Sequence, residues 1–169
     1  GAAFWFPGDH LVRDAGACVV VVTLAYRLGV LGNLNLGEGA DLRNFGYADQ
    51  AAALAWVHGN VGAFGGDAGR VTLFGESAGG GSVVYHLTTP SSWPLFARGI
   101  AESAGPWILP NCSVSEIVSS SFAATLNCST LACLRDVDPV ALLVGPGAED
   151  YLNSVMPCLD TPLLARVAA

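Results

Sequence analysis

Lysine is absent from this sequence of 169 residues, and charged residues make up only 12% of it. Seven basic residues stand against 14 acidic ones, so the formal net charge is −7 at pH 7. Because no basic stretch is present to neutralise phosphate groups, we do not expect the chain to bind nucleic acid. The excess of acidic groups is expected to aid solubility.

Long hydrophobic runs are also absent, although 52% of the residues are hydrophobic. The strongest apolar run, Ala17 to Ala25, is far shorter than the ~20 residues that a membrane-spanning helix needs. It is rich in β-branched valine, which favours a strand. We therefore expect no membrane span in this segment, and we expect its apolar surfaces to be covered by parts of a larger protein.

Patterns of metal ligands are lacking as well. The three histidines do not have metal-ligand spacing, and the five cysteines include no C-x-x-C pair, so a metal site is not expected. Methionine occurs once, at Met156, and the chain begins with Gly1. This beginning indicates a processed chain, an excised segment or an incomplete gene model.

Four of the five cysteines lie in the last third of the chain: Cys112, Cys128, Cys133 and Cys158. Two of them are the middle residues of Asn-Cys-Ser sequons at Asn111 and Asn127. Disulfides and N-glycans both form along the secretory route, so this cluster predicts a secreted or extracellular protein that is glycosylated at the two asparagines. Cys18, in the valine-rich run, is expected to be a small buried hydrophobic residue.

Secondary-structure signals alternate along the first two thirds of the chain. The β-branched run from Cys18 to Leu24 predicts a strand that is covered on both faces. Apolar residues at spacings of three and four predict a helix from about Asp49 to Val61. A strand at Val71 to Phe74, a helix to about Leu87 and a short strand at Ala97 to Glu102 follow. This alternation predicts an α/β fold with a mostly parallel sheet flanked by helices.

The pattern changes in the last third of the chain. Ser113 to Glu116 has the spacing of a capping box, which predicts a helix that runs through Leu126. Asp138-Pro139 predicts a further short helix, with Asp as the N-cap and Pro at the first position. We expect one partial domain, with the sheet in residues 1–110 and a helical excursion in residues 111–169.

A serine lies between two glycines where a predicted strand meets a predicted helix, in Gly75-Glu76-Ser77-Ala78-Gly79. This is the layout of a nucleophile elbow, a strained turn that exposes a serine hydroxyl. The flanking glycines allow the strand and the helix to approach closely. Ser77 is therefore the leading candidate for a catalytic nucleophile.

A serine nucleophile needs a general base within hydrogen-bond distance, and the three histidines are the candidates for this role in the sequence. His86 lies nine residues beyond Ser77 on the same predicted helix, about 13 Å along its axis, and cannot be that base. His58 is near a helix end, where it is expected to be solvated or to cap the helix. His10 is expected to lie in a loop, and we expect neither of these two to be the base.

Several further motifs occur in the order of one known family. Gly1-Ala2-Ala3-Phe4 is similar to the end of a His-Gly-Gly-Gly-Phe oxyanion loop, and Tyr26 to Gly29 is similar to a Tyr-Arg segment after a core strand. Asn44 to Asp67 is similar to the long signature that precedes the elbow, and Cys128 to Arg135 to a small disulfide loop. From Gly1 to roughly Leu143, the chain resembles the type B carboxylesterase and cholinesterase family of the α/β-hydrolase fold.

The resemblance implies a partial α/β-hydrolase fold and the hydrolysis of a small-molecule carboxylic ester without a cofactor. Ser77 would be the nucleophile. Three backbone N–H groups, those of Ala2, Ala3 and Ala78, would form the oxyanion hole. In the family these groups stabilise the negative oxygen that forms when the serine attacks the ester.

The resemblance also implies roles outside the reacting groups. Cys128 and Cys133 would form a disulfide. Glu76 would be a buried carboxylate that shapes the field beside the nucleophile, and an ordinary exposed elbow residue is the alternative. Apart from the resemblance, Arg27, Asp49 and Arg70 are expected to be structural, fixing loops by hydrogen bonds and ion pairs.

The sequence departs from the family in three respects, one of which is Asn33 at a position where the family usually has phenylalanine. The triple glycine of the oxyanion loop is Gly-Ala-Ala here, and an alanine at positive φ would cost about 1 kcal/mol or more. The chain also stops before the triad acid and the histidine of the family. We therefore predict a fragment of an ester hydrolase that works through an acyl-serine. The alternatives are an inactive cholinesterase-like adhesion or binding module and a truncated, non-functional product.

Overall fold

The computed structural model of the chain describes residues 7–39, 42–104, 110–144 and 157–159. The chain divides into two compact units, one of residues 1–25 and 50–107 and the other of residues 26–49 and 108–169. The first unit contains the sheet, and the second contains the helices of the last third. The organisation as one partial domain stays a prediction.

Helices make up most of the regular structure. In chain order they are α1 (Asp9–Asp14), α2 (Gly29–Asn33), α3 (Phe45–Asn60), α4 (Ala78–Leu87), α5 (Cys112–Thr125), α6 (Leu131–Arg135) and α7 (Pro139–Val144). The described strands are β1 (Thr72–Glu76) and β2 (Arg98–Glu102), and 3₁₀ turns cover Val61–Phe64, Ala68–Arg70 and Pro90–Leu95. Among the described helices, none has the length and apolar character to cross a membrane.

The sheet is a parallel pair in which Thr72 of β1 lies beside Arg98 of β2, and Glu76 lies beside Glu102. Parallel strands need a crossover connection, and α4 provides it. The helix packs on one face of the pair, where Val83 is 1% exposed. This strand–helix–strand unit confirms the predicted α/β class, and each strand begins one residue later than the sequence predicted.

The face of the strand pair opposite α4 is exposed in the described structure. Phe74 of β1 and Ile100 of β2 are paired in register, and they are 52% and 50% exposed. Because side chains alternate between the two faces of a strand, residues two positions away in β1 share this face. The last residue of β1, Glu76, is one of them.

The predicted strand from Cys18 to Leu24 is wrong, because residues 18–28 form neither strand nor helix. Three valines of the run are between 42% and 45% exposed, so it is not covered on both faces. A β-branched run becomes a strand only when a neighbouring strand supplies hydrogen bonds, and within the described ranges β1 pairs with β2 alone. Cys18 is exposed as a result, which corrects its predicted burial.

Helix α3 is longer than the sequence predicted and begins at Phe45, before Asp49. Apolar periodicity located its buried side correctly, since Leu54 and Val57 are 3% and 8% exposed. The helix continues past Gly59 and ends at Asn60. A 3₁₀ turn follows, and the chain turns at Gly65, where φ is +80°.

The second unit has its own hydrophobic core around α2, α5 and α6. Its buried members are Val30, Leu34, Phe122, Ala123, Cys128, Leu131 and Leu134. Helix α7 begins at Pro139, as predicted, and its preceding Asp138 accepts a hydrogen bond from the Val140 N–H at 2.7 Å. The helical character predicted for this part of the chain is therefore confirmed.

The start of α5 differs from the prediction. Asn111 is the N-cap, and its Oδ1 accepts hydrogen bonds from the Ser113 N–H at 2.9 Å and the Ser113 hydroxyl at 2.8 Å. Asparagine is among the strongest N-cap residues, and it precedes Ser113 in the chain. The predicted capping box between Ser113 and Glu116 is therefore wrong, since the hydroxyl that it requires is bonded to Asn111.

Candidate active site

Ser77 lies between the end of β1 and the start of α4, and its φ and ψ are +55° and −116°. A non-glycine residue at such a positive φ costs of order 1–3 kcal/mol and persists only where surrounding contacts enforce it. Such contacts are present. The Ser77 N–H donates to the Glu102 carbonyl at 2.9 Å, and the Gly81 N–H donates to the Ser77 carbonyl at 2.9 Å. The turn is therefore strained and held from both sides.

Two glycines permit the close approach of α4 to the paired strands, Gly75 at β1 and Gly80 at β2. A Cβ added to Gly75 would lie 2.5 Å from the carbonyl carbon of Gly79, and a Cβ added to Gly80 would lie 2.7 Å from the carbonyl oxygen of Glu102. A Cβ on Gly79 would meet no atom within 4 Å. The close approach expected of the flanking glycines thus rests on Gly75, and Gly80, outside the five-residue motif, provides a second contact.

Glu76 is exposed, which contradicts the burial expected from the resemblance. The reason is the alternation of β1, which places Glu76 on the same face as the exposed Phe74. Its partner in register, Glu102, is also exposed, so two negative side chains end the paired strands. The alternative of an exposed elbow residue agrees with this position, and an effect of Glu76 on the nucleophile stays a prediction.

A second serine in the same setting was missed by the sequence analysis. The tetrapeptide Glu-Ser-Ala-Gly occurs at residues 76–79 and again at residues 102–105. Because Glu76 pairs with Glu102, Ser77 and Ser103 both follow the carboxyl ends of adjacent parallel strands. Ser103 also has a positive φ, of +49°. The repeated tetrapeptide is the signal that would have identified it, and of the two serines Ser77 is the one that precedes α4.

Ala78 is the first residue of α4. The first N–H groups of a helix have no partner inside the helix, and they carry the positive end of its dipole. The Ala78 amide is thus placed beside Ser77 with the chemistry that an oxyanion requires. The other two predicted donors, Ala2 and Ala3, lie outside the described residues.

The histidines occupy three different elements. His86 is 1% exposed, with Nδ1 2.9 Å from Ser92 Oγ and Nε2 3.0 Å from Gln50 Oε1. Burial lowers its pKa from 6.5 to about 4, so the ring is neutral at physiological pH. Engagement of both ring nitrogens agrees with the expectation that His86 is not the general base. His10 and His58 are exposed, on α1 and α3.

Arg27 and Asp49 form a two-pronged ion pair in the second unit. The Arg27 Nε and Nη2 atoms donate to the two carboxylate oxygens at 2.8 and 2.7 Å, and the Arg27 backbone N–H donates to Oδ2 at 3.0 Å. These hydrogen bonds raise the pKa of Arg27 and lower that of Asp49. The guanidinium also lies 5.1 Å from the centre of the Phe45 ring. This pair has the structural character expected for both residues.

Two disulfides are present in the second unit. Cys128 is bonded to Cys133, the pairing that the resemblance implies. Cys112 at the start of α5 is bonded to Cys158, and this pair was not predicted. The sequence does contain a signal for this pair. Once Cys128 and Cys133 are paired, Cys112 and Cys158 are the two cysteines that remain in the last third of the chain.

Comparison with protein-family models matches residues 1–149 to the carboxylesterase family. The chain belongs to this family. The match confirms the resemblance found in the sequence and, with the strand–helix–strand unit, the partial α/β-hydrolase fold. The strained turn at Ser77 is therefore the candidate active site of a carboxylesterase-family chain.

Relatives of this carboxylesterase-family chain include enzymes that act on several kinds of ester or acyl compound by their names. It is 43% identical over 151 residues to an acylcarnitine hydrolase of Mus musculus, 42% over 173 residues to cholinesterase 1 of Branchiostoma lanceolatum and 48% over 143 residues to a cocaine esterase of Oryctolagus cuniculus. These matches cover 85%, 96% and 80% of this chain but 26%, 46% and 26% of the relatives. The chain thus spans between a quarter and a half of their length.

Proposed function

We propose that the protein containing this chain hydrolyses a small-molecule carboxylic ester through an acyl intermediate on Ser77. The observation that carries the proposal is the strained φ of +55° at Ser77, between β1 and α4. Strain of this kind is typical of turns that expose a nucleophile. The names of the relatives, among them a cholinesterase and a cocaine esterase, support an ester as the substrate class.

In the proposed reaction, the Ser77 Oγ attacks the ester carbonyl carbon while a base removes the hydroxyl proton. The N–H groups of Ala78, Ala2 and Ala3 hold the resulting oxyanion. Collapse of this intermediate breaks the bond to the alcohol, which leaves with the proton from the base, and the acyl group stays on Ser77. Water then attacks in the same way and releases the carboxylic acid and the free serine.

The base in this proposal is a histidine of the longer protein, oriented by a glutamate or aspartate. The described histidines favour this assignment, since His86 is buried and bonded through both ring nitrogens. The relatives are two to four times as long as their matched segments, which leaves room for these groups.

The test is covalent labelling of the longest natural chain that contains this segment with a fluorescent fluorophosphonate. We expect one label, on Ser77, and none in Ser77→Ala. Ser103 lies in a second copy of the tetrapeptide that contains Ser77. The labelled peptide is therefore identified by mass spectrometry. Ser91→Ala changes an exposed serine and should label like the wild type. Absence of labelling in the folded wild type would contradict the proposal and favour the binding-module or non-functional alternative.

We also propose that the protein follows the secretory route and carries N-glycans on Asn111 and Asn127. Both asparagines are exposed, and the two disulfides fit an oxidising compartment. Asn127 lies just after α5, and its φ is +55°. After expression in eukaryotic cells, N-glycosidase should lower the mass by two glycans in the wild type and by one in Asn127→Gln. An unchanged mass would contradict this proposal.

A further inference from the structure

A line of polar side chains, three of them buried, reaches the first turn of α4 from inside the first unit. The line, called here the Gln50 network, consists of Ser92, His86, Gln50 and Ser82 and ends on the Ala78 carbonyl. We propose that this network positions the first turn of α4, and with it the nucleophile turn, for the ester hydrolysis proposed above. The inference rests on that function only for its kinetic consequence.

The contacts of the network are short and continuous. Ser92 Oγ lies 2.9 Å from His86 Nδ1, and His86 Nε2 lies 3.0 Å from Gln50 Oε1. Gln50 Nε2 then donates to Ser82 Oγ at 3.0 Å, and the Ser82 hydroxyl donates to the Ala78 carbonyl at 3.1 Å. Ser92, His86 and Gln50 are 2%, 1% and 4% exposed, so water does not compete for the two bonds of His86, whereas Ser82 is only partly buried.

The Ala78 carbonyl determines which group donates and which accepts in every hydrogen bond of the network. A carbonyl only accepts, so the Ser82 hydroxyl donates to it and in turn accepts from the Gln50 amide NH₂. The Gln50 carbonyl oxygen then faces His86, which carries its proton on Nε2 and accepts from the Ser92 hydroxyl at Nδ1. A neutral ring can donate and accept in this way, and burial, which lowers the pKa of His86 to about 4, keeps it neutral.

The first turn of α4 needs such support because its own sequence is weak. It reads Ala78-Gly79-Gly80-Gly81, and glycine is the least favourable residue in a helix after proline. Larger residues are excluded at Gly80 by the contact with the carbonyl of Glu102. The strained Ser77 adjoins this same turn. A hydrogen bond from Ser82, fixed in its rotamer by Gln50 from α3, therefore restrains a turn that glycine leaves free.

The restraint acts on the residue whose amide is the proposed oxyanion donor. The carbonyl and the N–H of Ala78 lie on either side of the same Cα, so fixing the carbonyl limits rotation of the amide. Removing an oxyanion donor altogether costs ~10²–10³ in kcat, and a loosened donor should cost less. We expect Ser82→Ala to lower kcat about 10-fold. KM should change little, since Ser92, His86 and Gln50 are buried.

The experiment measures p-nitrophenyl acetate hydrolysis by the longest natural chain that contains this segment. Ser82→Thr keeps the hydroxyl and should recover most of the kcat that Ser82→Ala loses. Ser91→Ala removes an exposed hydroxyl close to Ser92 and should match the wild type. Ser82→Ala leaves the amide of the buried Gln50 without its acceptor, so the Tm of every variant is measured and kcat is compared at a temperature where all of them are folded. Equal losses in Ser82→Ala and Ser82→Thr would overturn the proposal.

The far end of the network provides a second test. Ser92→Ala should lower kcat a few-fold, and the double variant with Ser82→Ala should be no slower than Ser82→Ala alone, because Ser92 acts through Ser82. Independent, multiplying losses would overturn the proposed transmission.

A third measurement separates the network from the proposed function. If the folded wild type neither labels with fluorophosphonate nor hydrolyses the ester, the proposed function fails. The restraint on α4 is then read from hydrogen exchange of the Gly81 amide, which closes the first turn onto the Ser77 carbonyl. Faster exchange in Ser82→Ala than in Ser91→Ala supports the network, and equal exchange overturns it.

Discussion

A Cβ on Gly75 would lie 2.5 Å from the carbonyl carbon of Gly79, so β1 and α4 meet at backbone distance. The obstacle is main chain, which cannot move aside as the end of a flexible side chain can. This contact fixes where the helix leaves the strand, and thus where Ser77 is held.

We expect Gly75→Ala to lower the free energy of unfolding by about 2 kcal/mol, as overpacking against rigid atoms does. Gly79→Ala is the matched control, because its Cβ would meet no atom within 4 Å and alanine favours a helix over glycine. Urea unfolding of the two variants beside the wild type measures the difference. Equal stability of the two variants would show that the close approach does not constrain the fold.

Relief of strain at Ser77 gives a second prediction. Both Ser77→Ala and Ser77→Gly remove the hydroxyl, but only glycine adopts a φ of +55° without a steric penalty. We expect Ser77→Gly to be more stable than Ser77→Ala by about 1 kcal/mol. Thermal unfolding of the two variants tests this order. The reverse order would mean that the turn stores no strain at this residue.

The parts of the fold that the sequence predicted are those that local chemistry determines. The turn at Ser77 follows from a strand, a serine between glycines and a helix, all within about 15 consecutive residues. The run from Cys18 to Leu24 also has a strong local signal, that for a strand. It is not a strand, because strand pairing depends on residues distant in sequence. Exposure of Glu76 has the same origin, since the cover of a sheet face is not encoded in the strand itself.

The candidate site also contains residues that a local motif predicts and residues that only packing brings together. Ser77 and Ala78 were predicted from the motif. The Gln50 network was not, because Gln50 and His86 are 36 residues apart on two helices, and only packing brings their side chains together. Ser103 was within reach of the sequence through the repeated tetrapeptide, but its position beside Ser77 depends on the register of β1 and β2.

The two disulfides should differ in their contribution to stability. Cys112 and Cys158 are separated by 46 positions, and Cys128 and Cys133 by 5. Loop-closure entropy predicts about 4 kcal/mol for the longer loop and about 2 kcal/mol for the shorter. Unfolding of the paired alanine variants, Cys112→Ala with Cys158→Ala and Cys128→Ala with Cys133→Ala, measures both. A larger loss in the second pair would contradict the entropic account.

The ion pair of Arg27 and Asp49 should contribute a modest coupling. Both side chains are partly exposed, so a double-mutant cycle with Arg27→Gln and Asp49→Asn is expected to give about 1 kcal/mol. Hydrogen bonds from Arg27 lower the pKa of Asp49 below its ordinary 3.8. The coupling is therefore fully present above pH 3.8 and is lost as the pH falls through the lower pKa of the folded state. A coupling that persists unchanged in strong acid would contradict this assignment.

Stability should also depend on pH through His86. Its pKa is 6.5 in the unfolded chain and about 4 when folded, because burial disfavours the charged ring. Between these values the unfolded chain binds a proton that the folded protein does not, so acid favours unfolding. We expect the free energy of unfolding to fall by up to about 3 kcal/mol from pH 7 to pH 4 through this residue.

Unfolding at pH 7, 6 and 5 measures this slope, and the His86→Gln variant, which keeps a polar side chain, should show a smaller one. The ring resonances of His86 in the folded protein provide the direct check, and we expect them to remain those of the neutral, Nε2-protonated form down to about pH 5. Titration of these resonances near 6.5 would show that the ring meets water. The fixed proton order of the Gln50 network would then not exist, because a charged ring donates from both nitrogens and cannot accept from Ser92.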